Sequence, residues 1–281
     1  MTARETLAWL TARLAPVGES ARREARLLLE NALLPDATGR MELFYDNRPL
    51  SDEVIRRLET EAARRLEGEP LQYILGEWEF YSLPFEVGTG VLIPQPDTEC
   101  LVERALAYLK DFPSAHVADL CSGSGAVAVS IAHHAPQCRV TAVEWDETAF
   151  GYLERNIRRN HAGNVKAVCA DVLAAPQGLG PFDLIVSNPP YIRSGVIDEL
   201  EASVRREPRI ALDGGEDGLT FYRSILSQWM TALTGQGVLM VEIGYDQARE
   251  VAALFAPHFA RVECLRDYGG NDRVIVGTHR R

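Results

Sequence analysis

Asn188, Pro189, Pro190 and Tyr191 follow directly on the apolar run Phe182-Asp183-Leu184-Ile185-Val186-Ser187. A strand that ends this way offers two hydrogen-bond acceptors at its carboxyl edge, the Asn188 side-chain oxygen and the Pro189 carbonyl. Neither proline has an N–H and each fixes its own φ, so the rim they form does not fold away. Tyr191 adds a ring that can pack on a flat group. Such a rim suits an amide or aromatic amine. The lone pair of that nitrogen is delocalised, and two acceptors can hold its N–H groups while charge develops on it.

A second constellation lies upstream. Asp119-Leu120-Cys121-Ser122-Gly123-Ser124-Gly125 leads from a strand into a helix beginning near Ala126. Small residues let a ligand approach the backbone, and free amides at a helix start favour an anionic group. Glycines at 123 and 125, followed by Val127 and Ala128, do not make the G-x-G-x-x-G order of a dinucleotide site. Glu144 ends the next strand about twenty residues on, where a carboxylate can accept hydrogen bonds from both ribose hydroxyls. Asp171, with Val172 beside it, ends the third strand and could receive an adenine amino group. A nucleoside that carries a carboxylate and needs no phosphate suits S-adenosyl-L-methionine. Its sulfonium activates a methyl group, so the protein need supply alignment only. The chemistry implied is methyl transfer to a planar nitrogen, with Asn188 at the junction of cofactor and acceptor. It requires no metal and no general base, and the six His residues read as helix or surface positions.

The elements that must position these residues follow from periodicity. Thr2 and Glu5 have capping-box spacing ahead of Leu7, Leu10 and Leu14. A second helix runs from Ser20 towards Leu34-Pro35. A third starts at Ser51 and stops at Gly68-Glu69-Pro70. Residues 1–75 therefore read as a small helical bundle that grips substrate. Trp78 and Phe80 alternate with glutamates, and Tyr81-Ser82-Leu83-Pro84 interrupts before Phe85 and Val87. That pattern predicts a β-hairpin linker over 76–97. From residue 98 to 281, strands alternate with helices, the pattern of a parallel sheet covered on both faces. Predicted strands span 116–120, 139–144, 166–171, 182–187 and 238–243, and segments 261–265 and 273–278 close the sheet. The stretch 192–217 reads as a long functional loop.

Composition sets bounds. The 281 residues are 46% hydrophobic and 25% charged, ordinary for globular chains. No window reads as a membrane span or a signal peptide, which places the protein in the cytoplasm. Five cysteines lack metal-ligand spacing and read as small buried apolar residues. The net charge of −11 opposes a phosphate-tracking surface, and through residue 80 there are 11 Arg against 15 acids. Stable nucleic-acid binding is therefore not expected. An amino-methyltransferase acting on adenine or guanine in nucleic acid stays as the alternative, and a cofactor-binding scaffold without turnover as a third reading.

Beyond these readings, the chain resembles the HemK/PrmC-type protein-glutamine methyltransferases along nearly its whole length. The resemblance rests on Gly68-Glu69-Pro70-Leu71-Gln72-Tyr73-Ile74-Leu75-Gly76, Trp78-Glu79-Phe80-Tyr81, Val91-Leu92-Ile93-Pro94 and Pro96-Asp97-Thr98-Glu99, on both motifs above, and on Glu207-Pro208, Gly214-Gly215, Asp217-Gly218-Leu219 and Asp272-Arg273-Val274. It implies an α/β fold of the class I S-adenosylmethionine-dependent methyltransferases, a Rossmann-like sheet with an antiparallel last strand, preceded by the helical bundle and hairpin. It also implies class 1 peptide chain release factors as partners, through the glutamine of their Gly-Gly-Gln loop. The cofactor turn would be Cys121 to Gly125, the ribose acid Glu144, the adenine neighbours Asp171 and Val172, and the acceptor clamp Asn188 to Tyr191. The sequence departs from the family pattern with Gln95 in place of Arg, Cys121-Ser122 in place of Gly-Thr, and Glu144 in place of Asp.

Overall fold

The structure is a computed structural model that describes residues 1–33 and 49–281. The expected end of the second helix at Leu34-Pro35 lies outside the described residues. The chain divides into two compact units, Met1–Gly76 with Ala202–Arg206, and Glu77–Glu201 with Glu207–Arg281. Among the described residues, no helix is long and apolar enough to cross a membrane.

In the first unit, α1 (Ala3–Arg13) begins at the expected capping box: Thr2 Oγ1 accepts from the Glu5 N–H, and Glu5 Oε2 accepts from the Thr2 N–H. Helices α2 (Ala21–Leu33), α3 (Asp52–Leu66) and α4 (Leu71–Leu75) follow. Their apolar stripes meet in a core of Leu10, Leu14, Leu28, Leu29 and Leu58, all fully buried. The Arg65 guanidinium joins α3 to α2 by donating two hydrogen bonds to the Glu24 carboxylate, at 2.6 and 3.2 Å. This fork geometry on half-buried groups fixes the helix pair better than an exposed ion pair would. A distant segment completes the unit, with Arg206 donating to the Glu67 carbonyl at 3.0 Å. Helical periodicity gives no sign of that partnership.

In the second unit, β1 (Glu77–Phe80) and β2 (Leu83–Glu86) form the expected hairpin. Its two-residue turn puts Tyr81 and Ser82 at φ +50 and +61°, the left-handed pair that right-twisted hairpins require. Gly or Asn would normally fill those positions. Here tertiary contacts hold the turn: the Tyr81 N–H donates to Glu99 Oε1 at 2.9 Å, and the Tyr81 ring meets His134 edge-on. Phe80, Leu83 and Phe85 are buried in the core of this unit.

The remaining strands are β3 (His116–Leu120), β4 (Arg139–Glu144), β5 (Val165–Cys169), β6 (Phe182–Ser187), β7 (Leu233–Glu242), β8 (Phe259–Arg266) and β9 (Asp272–Arg280). They form one seven-stranded sheet in the order β5-β4-β3-β6-β7-β9-β8. The first five are parallel, and β9 pairs antiparallel with both β7 and β8. Helices α5 (Glu99–Leu109), α6 (Ala126–His134), α7 (Glu147–Arg159), α8 (Arg209–Leu212), α9 (Thr220–Gln228) and α10 (Ala248–Phe255) complete the unit. Successive strand residues enter opposite cores: Val117, Leu184 and Met240 one, Ala118, Ile185 and Leu239 the other. Burial on both faces explains the unbroken apolar runs in the central strands.

Candidate active site

Strand register brings the chemical residues together. Leu120 of β3 lies opposite Val143 of β4 on one side and Ser187 of β6 on the other. The segments that follow, starting at Cys121, Glu144 and Asn188, therefore leave the sheet at one edge. Strand order reverses at β3, and ligands of open α/β sheets bind at such a crevice. A cavity of about 480 Å³ lies there, within the range of small-molecule sites. Cys121, Gly123, Glu144, Asp171, Val172, Asn188 and Pro190 all line it. Trp145, Leu173, Ile210 and Phe221 add apolar wall that sequence patterning had not singled out.

Six residues expected at the site do not line the cavity: Asp119, Ser122, Ser124, Gly125, Pro189 and Tyr191. All but Pro189 support the wall from behind. Asp119 is 1% exposed, and its Oδ2 accepts from the Ala128 N–H at 3.1 Å, holding the first turn of α6. The Ser122 hydroxyl donates to the Asp119 carbonyl, and the Ser124 carbonyl accepts from Asn156 Nδ2 at 2.9 Å. The same Asn156 amide nitrogen donates to the Glu86 carbonyl and its Oδ1 accepts from the Glu86 N–H, tying the turn to the hairpin. Gly125 stands against Leu153, where a Cβ would come within 2.6 Å of a methyl group. Pro189 is buried. The Tyr191 ring packs on the core formed by α9, β6 and β7, not on the cavity. Its phenol is pushed up by burial and by the facing Glu242 carboxylate.

Cys121 occupies φ +60°, a left-handed conformation that costs a non-glycine residue on the order of 1 kcal/mol. The conformation is one that glycine adopts without cost, held here by a thiol-bearing residue. Glu144 receives Gly123 N–H on Oε2 at 2.8 Å, and Trp145 and Asp146 N–H on Oε1 at 2.7 and 2.8 Å. Those three amides fix both carboxylate oxygens at the cavity wall. Burial raises its pKa, and the amide bonds oppose that rise. Asp171 lies two residues beyond β5, and its Oδ1 accepts from Leu173 N–H at 2.8 Å. The Val172 carbonyl is held by Trp229 Nε1 at 2.9 Å and the Ser224 hydroxyl at 3.1 Å.

Asn188 Nδ2 donates to Thr98 Oγ1 at 3.1 Å, leaving Oδ1 as the end of the carboxamide that Thr98 does not engage. Ile192 and the segment 212–214 strap the clamp together, with Ile192 N–H on the Leu212 carbonyl at 2.9 Å and Gly214 N–H on the Ile192 carbonyl at 2.8 Å. Gln247, 3% exposed, donates from Nε2 to the Tyr191 and Gly218 carbonyls. Among the described residues, the two acids near Gln95 have other partners. Asp97 pairs with Arg273 at 3.1 Å, Glu99 holds the Tyr81 amide, and Gln95 Nε2 reaches the Ile93 carbonyl at 3.2 Å.

The residues present fit S-adenosyl-L-methionine. A Cβ built on Gly123 meets no atom within 4 Å, so this turn leaves open space at the cavity. Among the described residues, the lining includes Glu144, Asp146, Asp171 and Asp213 and no Lys or Arg. A phosphate-bearing ligand would lack counter-charge, whereas a sulfonium and an ammonium group find carboxylates.

Three buried acids set a pH signature. Asp119, Glu207 and Glu242 are each pushed up by burial to about 7, against ordinary values of 3.8 for Asp and 4.5 for Glu. The folded state holds these protons more tightly than the unfolded chain. Their contribution is therefore fully present only below the ordinary values, 3.8 for Asp119 and 4.5 for the two glutamates, and is lost as pH rises to about 7. Glu207 Oε2 accepts from the Ile93 N–H at 2.8 Å, and a glutamine can keep that bond. Urea unfolding of Glu207→Gln and wild type at about pH 4 and about pH 8 should show the variant gaining on the order of 3 kcal/mol relative to wild type at the higher pH. An unchanged difference would refute the burial argument.

Comparison with known proteins bears on this geometry. The family description "PrmC N-terminal domain" matches residues 5–76, and "Methyltransferase small domain" matches residues 97–206. The release factor glutamine methyltransferase of Geobacter sulfurreducens is 42% identical over 98% of this chain and 96% of its own length. That of Fusobacterium nucleatum is 40% identical over 74% of this chain, which spans 59% of that relative. Among solved structures, a methyltransferase from Pyrococcus furiosus is 20% identical and covers 79% of this chain and 98% of its own, with a TM-score of 0.51. That likeness shows the fold alone. With near-complete coverage at 42% identity, the chain belongs to the release factor glutamine methyltransferase family.

Proposed function

We propose that the chain transfers a methyl group from S-adenosyl-L-methionine to the side-chain amide nitrogen of the glutamine in the Gly-Gly-Gln loop of class 1 peptide chain release factors. The observation that carries this reading is that Asn188 and Pro190 line the same cavity as Gly123 and Glu144, in a chain whose relatives are named for that substrate. Glu144, Asp171, Val172 and the turn from Cys121 to Gly125 are the residues that would hold the cofactor. When bound, S-adenosyl-L-methionine supplies an electrophilic methyl carbon on a sulfonium.

The protein's own part is alignment and electrostatics. Asn188 Oδ1 and the Pro189 carbonyl each accept one N–H of the glutamine amide, which holds one face of the nitrogen towards the methyl carbon. As positive charge develops on nitrogen, the two fixed oxygen dipoles stabilise it without reorganising. Proline bracing and the strap through Gly214 keep those dipoles in place. The proton leaves to water after transfer. The helical unit Met1–Gly76 serves recognition of the release factor, and the protein works in the cytoplasm on a protein partner, without stable nucleic-acid binding.

The test is incubation of the purified chain with a release factor and labelled cofactor, followed by mass spectrometry of the Gly-Gly-Gln peptide. One added methyl group on the glutamine is expected. Label in an adenine- or guanine-containing oligonucleotide with none in protein would overturn the assignment.

A further inference from the structure

The β6–β7 register sets Ser187 opposite Val241, so Glu242 follows on β7 where Asn188 follows β6. Glu242 is 2% exposed, and its Oε2 has no hydrogen-bond partner among the described residues. Thr98 and Tyr191 are the neighbouring hydroxyl side chains that act on its charge. Thr98 comes from the short 3₁₀ turn ahead of α5, and its Oγ1 already accepts from Asn188 Nδ2 at 3.1 Å. No step described so far uses this buried carboxylate.

A threonine hydroxyl has one proton. With Oγ1 accepting from Asn188, that proton is free to turn to the neighbouring Glu242, and an ionised carboxylate can only accept. Donation then runs one way, from the Asn188 amide to the Thr98 hydroxyl to the Glu242 carboxylate. We propose that Thr98 and Glu242 are positioning residues that fix the Asn188 carboxamide with Nδ2 turned inward and Oδ1 presented to the acceptor nitrogen. The inference rests on the methyl-transfer reading above for the identity of that acceptor.

The polarity matters because the two ends of a carboxamide differ little in shape and are opposite in hydrogen-bonding sense. Were Glu242 protonated, it could donate to Thr98 Oγ1, and the Thr98 proton would be released towards Asn188. The carboxamide would then gain by flipping, setting an NH₂ group against the N–H groups of the acceptor. Ionised Glu242 excludes that arrangement. Its surroundings are mixed: Arg273 on β9 lowers its pKa, and Asp97 ahead of α5 raises it. Tyr191, Cys100 on α5 and Tyr222 on α9 also feel its charge. Arg273 is shared with Asp267 and Asp97, at 3.0 and 3.1 Å, so it neutralises Glu242 incompletely. Burial holds the carboxylate at about 7, which places the switch of polarity near neutrality.

Two measurements test the positioning role. In protein labelled with ¹⁵N-asparagine, the Asn188 side-chain amide is identified by its loss in Asn188→Ala. At about pH 8 its hydrogen exchange should be at least about tenfold faster in Thr98→Val, with Thr98→Ser restoring protection, as expected for one lost hydrogen bond in a charge-assisted chain. Equal exchange in wild type and Thr98→Val overturns the proposal, whether or not the protein methylates glutamine. In the release-factor assay, Thr98→Val should lower kcat about tenfold or more with cofactor affinity unchanged by calorimetry, and Thr98→Ser should recover it. Wild-type kcat should fall as pH drops through about 7, and Glu242→Gln should lose that dependence. A wild-type enzyme that methylates glutamine alongside an equally active Thr98→Val also overturns the proposal. Failure of wild type to methylate glutamine, with the exchange result upheld, counts against the substrate assignment alone.

Discussion

Asn188→Ala is expected to lower kcat by roughly 10²–10³ while leaving affinity for S-adenosyl-L-methionine within about threefold of wild type. The size follows from removing one fixed dipole from a preorganised pair, the loss measured when one such group is deleted elsewhere. The split follows from geometry. Glu144 takes its amides from residues 123, 145 and 146, and the Val172 carbonyl is held by Ser224 and Trp229. None of these contacts passes through the Asn188 side chain. Alanine also leaves Thr98 without its donor, a local loss of about 1 kcal/mol of stability. Calorimetry with the cofactor and steady-state methylation of a release factor read the two quantities separately. Turnover near wild type would remove Asn188 from the mechanism.

Gly214→Ala should act on the same clamp from behind. A Cβ there would stand 2.7 Å from Tyr191 Cα and 2.9 Å from the Pro190 carbonyl oxygen. Both are backbone atoms, and the prolines before them cannot swing aside. Gly214 is not in the left-handed region, so the penalty is collision alone. The strap must lift or the rim must move, with an expected destabilisation of about 2–3 kcal/mol. A shift of order 1 Å at the acceptor oxygens should reduce kcat/KM by about 10²-fold. Gly235→Ala provides the control, since a Cβ there meets nothing within 4 Å. Denaturant unfolding and kinetics of the two variants side by side give the result, and a Gly214→Ala protein as stable and active as wild type would show that the strap is not what holds the clamp.

Legibility in the sequence tracked the range of the interaction. The capping box at Thr2 and Glu5, the hairpin and the strand–helix alternation depend on residues a few positions apart, and each was readable from spacing. Asp119 looked like a ligand because it sits at a motif, yet its neighbours bury it beneath α6 as a support. Tyr191 looked like a platform for the acceptor, but alternation along the rim turns its ring to the core and its carbonyl to Gln247. Burial of a motif residue depends on what packs over it, and single-sequence patterning does not carry that.

The sequence by itself determined the parts: a Gly-rich turn after one strand, an acid after the next, and a proline-braced amide after a third. Those assignments rest on local backbone chemistry, which neighbouring residues dictate. Only the tertiary structure decided which groups stand behind them. Thr98 reaches Asn188 across 90 positions of chain, and Glu242 is brought alongside by the pairing of β6 with β7. Such meetings are set by sheet register and by packing across layers, where energy comes from contacts between segments that share no local pattern.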